Sequence, residues 1–265
     1  MPEEGEAAHY WFSEGFTDFY TGRMLVRAGL WTPQQFAEDL NEMLAAYAQS
    51  PVREAPNTRI LADFWNDRDV QRLPYQRGRL LATLWDARLR ALGHSLDEAM
   101  LEMRDRWVAG DPLNATAMLP VVLASMELDV SADIANYAER GAPVLLPDDV
   151  FEPCGRVVAR QAPVFHRGFD IEATQAANGV ISGVDPALPA YAAGMRDGMV
   201  LVRRERGAIG DAEQEITYVV RDGTVERTIT YFPRGHGSYT LQSLEIDAGL
   251  EGERLAQCRA VLGGV

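Results

Sequence analysis

Through residue 145 the apolar positions recur at intervals of three and four, the spacing of one helix face. Phe16, Phe19, Tyr20 and Met24 make one such stripe, with Ser13 placed to cap it and Gly29 to stop it. Thr32, Pro33 and Gln35 form a capping box ahead of a second stripe at Phe36, Leu40, Met43, Leu44 and Tyr47. A short helix is expected over Ile60–Trp65 and a longer one over Tyr75–Leu92. Ser95 and Glu98 make another capping box for a helix reaching about Val108. Further helices are expected over Ala115–Glu127, and from a cap at Ser131 to a stop at Gly141.

The proline-bearing stretch "APVLLPDDVFEP" reads as a linker, and beyond it the period falls to two. Strands are expected in "GVISGV", "MVLVRR" and "YTLQSLEI", with a short helix in "LPAYAAG" between the first two. Asp222-Gly223 between two alternating runs is a hairpin signal. A last helix is expected over Glu251–Leu262. The fold class is therefore α+β: a helical domain over residues 1–145, then a small β-rich domain over residues 146–265.

Apolar residues make up 47% of 265, enough for a proper core. Net charge is −14, and every basic residue is arginine. An acidic chain has no general attraction for nucleic acid or anionic membrane. No apolar run is long enough to span a bilayer, and "MPEEGEAAHYW" lacks the basic start and apolar stretch of a signal peptide. Cys154 and Cys258 have no metal-type spacing; two separate thiols and one disulfide are both open. Glu14 and Asp18 lie four apart, which places both carboxylates on one helix face. By spacing alone that is a solvated acidic face. His9, His94, His166 and His236 are scattered, with no helical metal pair among them.

"WFSEGFTDFYTGRMLVRAGL" resembles a motif of the glycyl aminopeptidase family, zinc metallopeptidases of the thermolysin-like clan. "LPYQRGRLLATLWDARLRALGHSLDEAMLEM" is similar to that family's Y-x-K-G segment and the S-L-D-D that follows it. "MLPVVLASMELDVSADIANYAERG" is similar to the helical pair closing the catalytic region. "GVISGVDPALPAYAAGMRDGMVLV" looks like the centre of the PDZ-type domain these peptidases carry. The resemblance implies a thermolysin-like C-terminal helical domain followed by a PDZ-like domain. It implies Glu14 as the third zinc ligand and Asp18 as an acceptor orienting a ligating histidine. It implies Tyr75 as the hydroxyl that donates to the tetrahedral oxyanion. Arg77 stands where the family has lysine, keeping the charge but changing its shape. In "FHRGFD", backbone N–H groups around Gly168, Phe169 and Asp170 would meet a peptide C-terminus, and a following strand would pair with it.

One departure is large: the sequence contains no H-E-x-x-H, so two histidine ligands and the general base are missing. The chain then reads as the C-terminal portion of a zinc aminopeptidase. Zinc and a peptide substrate belong to the intact family, while this chain is expected to be inactive and to bind no stoichiometric zinc. The alternative is a non-catalytic pseudo-peptidase that binds peptide or protein through its PDZ-like domain. Met199 departs from that domain's usual acidic residue, and the hairpin pattern leaves no second helix to wall a groove. Without the histidine-bearing helix, Phe12, Phe16 and Phe19 are expected to face solvent, which predicts an oligomer through the N-terminal helix.

Overall fold

The structure is a computed structural model and describes residues 6–264. A 3-10 turn, Glu6–His9, leads into α1 (Tyr10–Arg27). Then come α2 (Pro33–Gln49), α3 (Asn57–Asp63), α4 (Arg68–Ala91), α5 (Leu96–Val108) and α6 (Ala115–Ser125). Helix α7 (Ser131–Asp133) continues as a π-helical turn, Ile134–Glu139. Strand β1 (Gly155–Phe165), α8 (Ile171–Ala176) and α9 (Pro189–Ala192) follow. The chain ends with β2 (Val200–Arg206), β3 (Ile216–Asp222), β4 (Val225–Tyr231), β5 (Arg234–Ile246) and α10 (Gly252–Gly263). The α+β class follows directly: among the described residues helices dominate the first half and the five strands lie beyond residue 154.

Two compact units divide the chain, and the division is not the one at residue 145. One unit holds residues 1–159 together with 241–265; the other holds 160–240. The linker and the C-terminal helix belong with the helices because they bury apolar groups there. Val144, Leu146, Val150, Phe151, Leu244, Cys258 and Leu262 all join the helical core. The Cys154–Cys258 disulfide fastens the start of β1 to α10, so of the two open readings the bonded one applies.

In the helical unit α1 packs most extensively on α4, with α10 and α2 beside it. Both capping boxes form: Thr32 with Gln35, and Ser95 with Glu98. Two other caps do not. Ser13 lies inside α1, which starts at Tyr10 because the 3-10 turn runs straight into it and buries Tyr10 and Trp11. Ser131 is the first residue of α7, and its N–H is taken by Asp129. Helix α4 starts about two turns before Tyr75, where Asp67 accepts from the N–H groups of Asp69 and Val70. Phe16 and Phe19 are only 4% and 8% exposed, so they do not face solvent as expected. Phe16 packs on Trp85 of α4, and Phe19 lies in the same helical core. Phe12 stays half-buried at the edge of a groove of about 780 Å³ with Tyr20, Met24, Leu30 and Met100. The basis for an oligomer through this helix shrinks to that groove.

A buried ion network ties the helices together. Arg23 on α1 donates to Asp86 on α4 at 2.9 Å, and Arg90 joins the same carboxylate at 3.1 Å. The other oxygen of Asp86 accepts from the Leu96 N–H, at the start of α5. Arg27 pairs with Asp97 and donates to the carbonyl of Gly263 on α10.

In the second unit β2, β3 and β4 form an antiparallel sheet in that order. The hairpin closes at Asp222–Val225 as its turn signal predicts. Ile216, Tyr218, Val220, Ile229 and Tyr231 face a small core with Phe169, Ile181 and Met195. The stretch expected as strand "GVISGV" makes only isolated bridges, Asp170 to Ser182 and Val180 to Val200. Strand β1 and helix α8 were not legible, since β1 is only irregularly buried and α8 is six residues long. Among the described residues no helix is long and apolar enough to cross a membrane.

Candidate active site

The two glycines of the sequence motifs meet in space. A Cβ on Gly15 would lie 2.4 Å from the Cα of Gly78, and one on Gly78 would lie 1.7 Å from the carbonyl oxygen of Trp11. Real Cβ atoms do not approach backbone so closely, so both positions need glycine for α1 and α4 to cross here. The crossing fixes what flanks it. Glu14 immediately precedes Gly15, and Tyr75 lies one turn before Gly78.

Tyr75 lies near enough to Glu14 for the carboxylate to act on its phenol. Its pKa is raised by partial burial first, then by the Glu14 carboxylate, with Asp18 and Tyr10 adding to the effect. Tyr10 lies four residues before Glu14 on the same helix face. Burial raises its phenol too, and the carboxylates of Glu6 and Glu14 push the same way. Asp18, one turn beyond Glu14, has its pKa raised by burial. Asp39 and Glu14 raise it further, against the pull of Arg79. Arg79 itself pairs with Asp39 at 2.6 Å. The structure thus brings Glu14, Asp18 and Tyr75 together, half-buried, with Tyr10 between Glu14 and the start of the chain. Tyr10, Arg79 and Asp39 were not singled out in the sequence. The four-residue spacing of Tyr10, Glu14 and Asp18 carries the first of these once the helix is known to begin at Tyr10.

Arg77 turns the other way. It is fully buried and donates to the carbonyls of Ala55 at 2.8 Å, Arg53 at 3.1 Å and Ala138 at 3.4 Å. Burial lowers its pKa, with Tyr47 opposing. Its planar fork spans carbonyls from two segments, which a single ammonium does not do.

A zinc ion would need several neutral or anionic donors converging on it. Glu14 offers one carboxylate. Among the described residues no three His, Cys, Asp or Glu side chains gather in a metal-holding arrangement, and His9 is the exposed residue preceding α1. These residues alone do not fit a catalytic zinc.

At the loop of Gly168, Phe169 and Asp170, two of the N–H groups already have partners. The Gly168 N–H donates to His166 Nδ1 at 2.9 Å, and the Asp170 N–H donates to the Ser182 carbonyl at 3.0 Å. Phe169 is buried in the second unit's core. Asp170 caps α8 through the Ala173 N–H, so a helix follows the loop where a pairing strand was expected. Nearby, Asp185 accepts from His236, which lowers its pKa.

Residues 2–77, which carry Glu14, Asp18, Tyr75 and Arg77, match the model of the M61 glycyl aminopeptidase family. No curated protein matches the chain. Among solved structures the chain is similar to an aminopeptidase N family protein from Idiomarina loihiensis, with a TM-score of 0.55 at 16% identity. The likeness covers 97% of this chain and 49% of that one, so the chain spans about half of that protein's length. At this identity the likeness speaks for the fold alone. The findings therefore converge on a chain with an M61-like segment at residues 2–77 and a fold shared with an aminopeptidase N family protein.

Proposed function

We propose that this chain is a portion of a zinc aminopeptidase-like metallopeptidase. The helical unit corresponds to the helical part of a thermolysin-like catalytic domain, and residues 160–240 to a PDZ-related domain. In a longer protein that supplied the missing ligands, Glu14 would offer one metal ligand, Asp18 would orient a second, and Tyr75 would donate its hydroxyl to the oxyanion formed when a peptide bond is attacked. The observation that carries this reading is the Gly15–Gly78 crossing, which sets Glu14 against Tyr75 within the segment matching the M61 family.

Burial and the Glu14 charge hold Tyr75 protonated at neutral pH, the state in which a phenol can donate. The two remaining ligands and the general base have no counterpart in these 265 residues. By itself the chain is therefore proposed to be inactive and to hold no stoichiometric zinc. Chelator-sensitive hydrolysis of an amino-acid anilide by the pure chain would overturn that. The wider reading is tested on the gene. If the DNA preceding Met1 encodes an in-frame H-E-x-x-H, the longer product should bind zinc. Glu14→Gln should then abolish zinc binding, and Tyr75→Phe should lower kcat by about 10²–10³-fold while zinc stays bound. An upstream sequence with no such motif removes the support for a metallopeptidase.

The competing reading, a peptide-binding pseudo-peptidase, has less behind it. The Gly168 N–H is taken by His166 and the Asp170 N–H by the Ser182 carbonyl.

A further inference from the structure

We propose that β4 is a docking edge for a second copy of the chain, whose own β4 pairs with it antiparallel about a two-fold axis at Thr228. The β2-β3-β4 sheet has two edges, and they differ. Strand β2 is broken by register shifts between Leu201 and Arg203 and between Arg204 and Arg206, irregularities of the kind that keep another strand from adding. Strand β4 has none: its pairing with β3 runs unbroken from Val225 to Tyr231. It contains no proline, and Glu226, Arg227, Thr228 and Thr230 are exposed.

The hairpin fixes which groups the edge offers. Its turn is Gly223 and Thr224, so Asp222 and Val225 exchange backbone hydrogen bonds, and bonded and non-bonded pairs alternate from there. Thr217 and Thr230 then form a non-bonded pair, the kind whose side chains lie closer, and their hydroxyls meet at 3.0 Å. By the same alternation the N–H and C=O groups of Glu226, Thr228 and Thr230 point away from β3. Among the described residues none of them has a backbone partner.

The strand's own sequence fits that edge. Thr228 opposite Thr228 of the second copy sets Glu226 opposite Thr230 and Arg227 opposite Ile229. Every outward N–H and C=O then meets its complement, no like charges stand opposed, and two hydroxyls face each other at the axis. A register centred on Glu226 or Arg227 opposes like charges directly. The contact uses the same edge of both copies, so it closes at two. One strand edge buries far less than the roughly 1,600 Å² of a standard interface, so the dimer is weak.

Sedimentation velocity on the pure chain should show a monomer at about 10 μM and a dimer fraction at about 1 mM. Thr228→Pro should abolish that dimer and keep the fold, since the lost N–H faces away from β3. Thr228→Lys, a charge on the edge, should do the same. Cross-linking reads the register. The two native cysteines are bonded to each other, so an introduced cysteine is a lone thiol. Under mild oxidation Thr228→Cys should link to itself about tenfold faster than Glu226→Cys or Thr230→Cys alone, because only at the axis do equivalent residues come within disulfide reach. An equal mixture of Glu226→Cys and Thr230→Cys should link one to the other. A monomer throughout, or a dimer that survives in either folded Thr228 variant, overturns the proposal; survival would place the contact elsewhere, as at the α1 groove. Glu226→Cys linking to itself as fast as Thr228→Cys overturns it as well.

Discussion

The charge of Glu14 bears on two phenols, Tyr10 and Tyr75. Replacing Glu14 with glutamine removes the charge and keeps the shape. The Tyr75 titration should then move down towards the ordinary phenol range, read as phenolate absorbance and assigned by its loss in Tyr75→Phe. An unmoved titration would mean the two groups do not face each other. Asp18 offers a test against pH. Its pKa is raised in the folded protein, chiefly by burial, so the charged form weakens the fold. That penalty is present above the folded pKa and vanishes below the unfolded one. Asp18→Asn should therefore raise the melting temperature at pH 7, and the gain should fade as pH drops through the carboxylate range. Both carboxylates were legible in the sequence, because a four-residue spacing fixes a shared face. Arg79 and Asp39 were not, since they arrive from other helices, and Tyr75 was reached through the motif resemblance rather than through spacing.

The α1–α4 crossing shows why motif residues that carry no chemistry are retained in a motif. Gly15 and Gly78 are contact points where backbone meets backbone, with no flexible side chain to give way. Gly15→Ala should destabilise by about 3 kcal/mol, at the upper end of overpacking costs, measured by denaturant unfolding. Gly29→Ala makes a fair control for added methyl groups, since nothing lies near its Cβ position; its positive φ adds only a local cost. Element reading from sequence succeeded where the signal was local chemistry: the two capping boxes and the Asp222-Gly223 turn. It failed where tertiary packing decided the outcome. Helix α1 begins a turn early because Tyr10 and Trp11 find partners in Phe64 and Trp85. The "GVISGV" stretch is left as isolated bridges despite its β-branched residues.

At the scale of the molecule, the boundary read from composition was displaced because the chain leaves the helical unit and comes back to it. Nothing in the period of the last 25 residues says which unit they join; the buried Cys258 and Leu262 decide it. The disulfide then has a covalent consequence. Residues 160–240 all lie between its two cysteines, so the second unit is contained in a closed ring of chain. Opening that ring by Cys154→Ala with Cys258→Ala should cost about 3–5 kcal/mol of stability, as expected for a loop of this length. A protease that cuts once in the exposed stretch between β2 and β3 would leave both pieces attached. The nicked protein should run as one species under non-reducing electrophoresis and separate into two on reduction. The helical unit would thus keep its C-terminal helix α10 even after the intervening unit had been severed.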